Sequence, residues 1–145
     1  WKAIGGSWYY FGSDGAMHTG WNRDSADWFY LDMDGVMLTG WQLIGTEQYY
    51  LSDIDGVMQR GWMKQNDSVF YFDPNTGAMV TGWKDIERDG VAGRYYFEST
   101  GHMATGWRRI DGNEFYFDEE GRMSSGAQTI DGKMYVFGTD GRLTL

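Results

Sequence analysis

Trp1 and Trp8 stand seven residues apart, and Trp21 and Trp28 repeat the interval. In both pairs the second indole opens an aromatic run, Trp8-Tyr9-Tyr10-Phe11 and then Trp28-Phe29-Tyr30. Two indoles converging at the edge of one strand, with a ring from the next segment, would present several π faces and few hydrogen-bonding groups. That surface suits a cation without N–H groups, a quaternary ammonium such as choline, because each ring attracts it by roughly 0.5–2 kcal/mol. Three rings give a few kcal/mol, close to the ~4 kcal/mol of a millimolar site. The third ring is expected from the middle of the following aromatic triplet, Phe29 for the first pair and Tyr49 for the second, with Tyr30 and Tyr50 as competitors. Met17 or Met37 is expected on the fourth side, and Trp41, the next indole after a Gly, is a further candidate.

Other chemistry has little to work with. The chain has no Cys and two His, His18 and His102, so thiolate sites are excluded and a catalytic triad or His-based metal centre lacks partners. Both His are expected to be solvated turn residues. The acidic stretches "DMDG", "DIDG" and "DEEG" read as turns without EF-hand spacing. A net charge of −9 repels nucleic acid. No apolar run approaches the roughly 20 residues of a membrane span, so no membrane insertion is expected. No enzyme, cofactor or metal is expected in this segment. The opening Trp, in place of Met, suggests a fragment of a longer protein.

The indole pairs belong to a longer pattern. "SWYYFGSDGAMHTGW", residues 7–21, returns as "DWFYLDMDGVMLTGW", "QYYLSDIDGVMQRGW", "VFYFDPNTGAMVTGW", "RYYFESTGHMATGW", "EFYFDEEGRMSSGA" and "MYVFGTDGRL". The anchors Trp1, Trp21, Trp41, Trp62, Trp83, Trp107 and Ala127 are 20 to 24 residues apart, a period typical of solenoids. Each copy reads as a hairpin: an aromatic strand, a turn closing on Gly, and a short return strand holding Met or Leu. The extra residues of the longer copies are expected in the turns "SDID" and "DPNT" and in the connector "KDIERDGVAGR".

Neighbouring side chains on a strand face opposite ways, so an aromatic run makes both faces of its hairpin aromatic. A lone two-stranded hairpin covers neither face and is marginally stable. Stacking each hairpin between its neighbours covers both. The expected fold is therefore an all-β hairpin solenoid, one module over residues 1–145, with repeats beginning near 1, 21, 41, 62, 83, 107 and 127.

The pattern "GW…WYYF…DG.M.TGW" resembles, over the whole chain, the choline-binding (cell-wall-binding) repeats of Gram-positive surface proteins and phage lysins. The resemblance implies a left-handed superhelix holding choline, or the phosphocholine of teichoic acids, between successive repeats. Two aromatics would come from one hairpin and one from the next. It also implies an extracellular, cell-wall-associated module without catalytic residues, whose parent chain carries a hydrolase or adhesin elsewhere; homodimerisation through an exposed end stays open. Carried over by position, one site uses Trp1, Trp8 and a ring of the second triplet, and another uses Trp21, Trp28 and a ring of the third. Beyond them the place of Trp8 is taken by Gln48, Val69, Arg94, Glu114 and Met134, and Ala127 replaces the last indole. Arg94 would set a like charge beside an ammonium. Two good sites are expected. The rival readings are a glycan-binding module, favoured by "IDGNEFYF" and "IDGKMYVF", and a structural spacer or protein-interaction solenoid.

Overall fold

The computed structural model describes residues 1–145 and contains strands and turns but no helix. Its strands pair two by two into seven separate sheets: β1 (Lys2–Ile4) with β2 (Ser7–Tyr9), β3 (Gly20–Asp24) with β4 (Asp27–Leu31), β5 (Gly40–Ile44) with β6 (Glu47–Leu51), and β7 (Gly61–Gln65) with β8 (Ser68–Phe72). Then follow β9 (Gly82–Arg88) with β10 (Val91–Phe97), β11 (Gly106–Ile110) with β12 (Asn113–Phe117), and β13 (Gly126–Ile130) with β14 (Lys133–Phe137).

The chain divides into two compact units, Trp1–Met63 with Tyr71–Met79, and Lys64–Phe70 with Val80–Leu145. Within the first, hairpins one to three bury Phe29, Leu31 and Leu51, the last two completely. Within the second, Phe97 and Phe117 are completely buried and Ile110, Phe115 and Ala104 pack around Phe117.

The seven hairpins are present, but they pair differently from the expectation. Each aromatic strand pairs backwards with the strand at the repeat anchor before it, a Trp in six copies and Ala127 in the last, as in Trp21 opposite Tyr30 and Asn22 opposite Phe29. The segment expected to be a connector is thus a strand, and the joining turn is the short one that follows it. Asp111-Gly112 and Asp131-Gly132 show why: φ is positive at both residues of each pair (50° and 80°, 50° and 78°). This is the type I′ geometry whose twist matches that of paired strands. The insertion in "KDIERDGVAGR" obeys the same logic. It extends β9 and β10 to seven residues each, where the other later hairpins have strands of five, and so creates no long loop.

The Met expected on a return strand makes only an isolated bridge to the end of the aromatic strand, for example Phe11 with Met17 and Leu31 with Met37. Its backbone instead links hairpins. The Met37 N–H donates to the Trp8 carbonyl at 2.8 Å, Met58 to Trp28, and, in the second unit, Met123 to Arg94 and Leu143 to Glu114. The Met side chain then lies on the glycine turn of the following copy. A Cβ on Gly56 would stand 2.6 Å from the Met37 sulfur, and its φ is +75°. Gly at this turn is therefore required twice, by backbone conformation and by the Met above it. We expect Gly56→Ala to lower unfolding free energy by about 2–4 kcal/mol in urea, combining a left-handed Ala with overpacking. Adding Met37→Ala should recover the overpacking part.

Candidate ligand cavities between successive hairpins

Residues directly opposite in an antiparallel pair share a face, and diagonal neighbours remain within reach of large rings. In the second hairpin Trp21 lies opposite Tyr30 and Arg23 opposite Trp28. Trp21 and Trp28 are thus diagonal neighbours on one face, with ring centroids 6.4 Å apart and planes at 85°. Tyr30 props Trp21 from the same hairpin at 5.1 Å, and Tyr49 of the next hairpin meets it edge-on at 4.9 Å. Trp21, Trp28 and Tyr49, with Met58, Asn75 and Thr76, line a cavity of about 250 Å³.

The same arrangement occurs one copy earlier. Trp1 meets Tyr10 at 5.1 Å and Phe29 at 4.8 Å, both edge-on. Trp1, Trp8, Phe29, Met37, Ile54 and Asp55 enclose about 380 Å³. The two indoles remain 39% and 48% exposed while Phe29 is buried, so the indole faces are available to a ligand and Phe29 forms the floor. Trp1 is also oriented: its Nε1–H donates to the Asp24 carboxylate of the next hairpin at 2.7 Å.

The cavities differ in charge. Asp55 lines the first, and the Ser52 hydroxyl together with the Val57 N–H holds its carboxyl below the usual 3.8. Asn75 and Thr76 occupy the corresponding place in the second. A carboxylate on the order of 5–7 Å from a monovalent cation in water contributes about 0.6–0.8 kcal/mol. Asp55→Asn should therefore weaken cation binding at the first cavity about threefold at low salt and leave the second unchanged, as resolved by NMR titration of the two indole pairs. Because the carboxyl titrates below its ordinary range, this advantage should persist from neutral pH down through the usual carboxylate range and fade only in more acidic solution.

Of the other residues singled out from sequence, Met17 lies on Gly35 and does not line the first cavity. Met37 lines the first cavity, and Met58 takes the equivalent place in the second. Tyr30 and Tyr50 support the indoles of their own hairpins, Trp21 and Trp41, from outside these cavities. Trp41 also packs on Phe72 at 5.7 Å. Ile54, Asp55, Asn75 and Thr76 escaped the sequence reading because they come from the turn two hairpins further on. The available signal was the recurrent Asp or Thr immediately before the turn Gly. His18 is half-buried rather than solvated, tilted against Tyr10 at 5.0 Å and paired through Nδ1 with Asn22 Oδ1 at 2.8 Å.

In the later copies the slot changes character. Arg94, in the place of Trp8, is clamped by two hydrogen bonds to Asp85 (2.7 and 3.1 Å). Beside Trp107, Tyr135 already carries the Lys133 ammonium over its ring at 5.2 Å. Nowhere do three or more His, Cys, Asp or Glu side chains gather to hold a metal ion.

A family model described as the choline-binding repeat matches residues 1–39, 38–82, 80–125 and 104–143. Among solved structures, CbpJ from Streptococcus pneumoniae is 32% identical, with a TM-score of 0.91 over 99% of this chain and 51% of that protein. Choline binding protein F from Streptococcus pneumoniae is 33% identical, with a TM-score of 0.90 over 99% of this chain and 51% of that one. The modular autolysin LytC from Streptococcus pneumoniae is 26% identical, with a TM-score of 0.61 over 94% of this chain and 36% of that one. The chain thus spans about half the length of the first two. A comparison with curated protein sequences finds no match.

Proposed function

Because the chain belongs to the choline-binding repeat family, we propose that it is a non-catalytic wall-anchoring module whose first two cavities hold the choline heads of teichoic acids on a bacterial surface. The observation that carries this reading is the recurrence, in consecutive hairpins, of two indoles lining one cavity, the first of them met by a ring of the next hairpin at 4.8 and 4.9 Å. Trimethylammonium has no N–H to satisfy, and these walls offer it π faces. One such site is weak. Two sites on a polymer with repeated choline gain effective concentration, so repetition itself strengthens attachment. Choline binding protein F has been solved in the presence of a peptidoglycan analogue, which agrees with a role at the cell wall. The test is chromatography: the module should be retained on a quaternary-amine resin and released by free choline. Passage through that resin by folded protein, or release by salt at the same concentration as a chain of equal charge, would refute the reading.

A further inference from the structure

The slot beside Trp83 repeats the frame of the first cavity with different chemistry. Trp83, Arg94, Phe115 and Asp140 stand where Trp1, Trp8, Phe29 and Asp55 do, and the enclosed volume is about 350 Å³ against about 380 Å³. Trp83 is 38% exposed and braced by Tyr96, Phe115 and Phe117 at 5.0, 5.0 and 5.8 Å, which makes it a fixed platform. Phe115 is buried, so one indole is the exposed aromatic surface here, where the first cavity has two.

Around that platform each guanidinium is paired with a carboxylate. Arg94 is engaged by Asp85, and the Arg142 guanidinium lies 3.6 Å from the Asp140 carboxylate. The turn of the sixth hairpin adds Asp111 and Asn113, with the Asn113 amide donating to the Asp111 carbonyl at 3.3 Å. A small cation would find a single ring and two guanidiniums, and an anion would face two carboxylates. Neither is favoured. A neutral ligand with one flat C–H face and many hydroxyls fits both features, because the walls offer donors and acceptors together.

We propose that this cavity is a saccharide subsite, taking a neutral pyranose unit of a polysaccharide on the Trp83 face, with Asn113, Asp111, Asp140 and Arg142 reaching its hydroxyls. It is independent of the two choline cavities and lies wholly within the second unit. The module then carries two ligand specificities, a cation in its early repeats and a sugar in a late one.

The test titrates the intact chain with maltotriose, isomaltotriose and N,N′,N″-triacetylchitotriose in saturating choline chloride, followed by tryptophan fluorescence and backbone amide NMR. At least one trisaccharide should saturate in the millimolar range, with shifts centred on Trp83 and residues 111–113. Asn113→Ala and Arg142→Ala should each weaken it at least fivefold while thermal midpoint and choline retention stay unchanged. Trp83→Ala is avoided because Trp83 packs on the core. Absence of a saturable response to all three sugars, competition by choline, or equal affinity in both variants would overturn the proposal. The choline reading is scored separately by resin retention.

Discussion

In salt high enough to screen the net charge of −9, a chain carrying Trp8→Ala together with Trp28→Ala is expected to pass through a quaternary-amine column that still retains the unaltered protein. Each substitution removes one wall of a cavity, at roughly 0.5–2 kcal/mol of cation–π attraction, or about two- to thirtyfold in affinity per site. On a polyvalent surface the two losses multiply, giving about fourfold to several hundredfold in apparent affinity. Folding should be affected far less. Trp8 is 48% exposed and Trp28 half-buried, and the links they make to Met37 and Met58 run through backbone carbonyls that Ala retains. Column retention and a urea melt on the same sample check this. Unchanged retention would show that these indoles are not the walls.

Phe117→Ala is expected to do the opposite, costing about 3–5 kcal/mol of stability in urea denaturation. Phe117 is completely buried, closes its hairpin opposite Gly106, bridges to Met123 and supports Trp83 at 5.8 Å. Its removal leaves a void that the flanking strands, fixed by their turns, cannot close. The contrast with Trp8 follows from alternation along the strand. The position of Trp8 and that of Phe117 fall on opposite faces of their hairpins, and the face of Phe117 carries the row that holds the stack together. A loss under about 1 kcal/mol would mean that this row is not the core.

Much of this was legible in the sequence. The period, the two aromatic faces and the choice of Phe29 and Tyr49 as cavity rings follow from strand alternation and stacking. Strand pairing was misread, for a physical reason. Gly beside a turn is a strong local signal, and most copies have two such places: the short turn before the aromatic strand and the longer one after it. The longer turn recurs in nearly constant form, "DG", "TG" or once "EG", whereas the short one varies from "GG" to "SA", "GT" and "ND" before becoming "DG" in the last three copies. Only ladder hydrogen bonds decide which turn joins paired strands. The contributions of Ile54, Asp55, Asn75 and Thr76 were hidden differently, since the offset between a hairpin and the second one after it is a property of the stack and not of any local pattern. The double constraint on Gly56 shows the same limit: its positive φ was foreseeable, but the Met37 sulfur above it was not.

The central claim is that aromatic walls recognise a permanent positive charge. It is tested most directly by calorimetric titration with choline and, in parallel, with 3,3-dimethyl-1-butanol, which has the same shape and no charge. The account predicts saturable millimolar binding of choline with two equivalents per chain, and at least tenfold weaker binding of the neutral isostere. Equal affinity for the two would contradict it, as would the absence of heat and saturation with choline on folded protein.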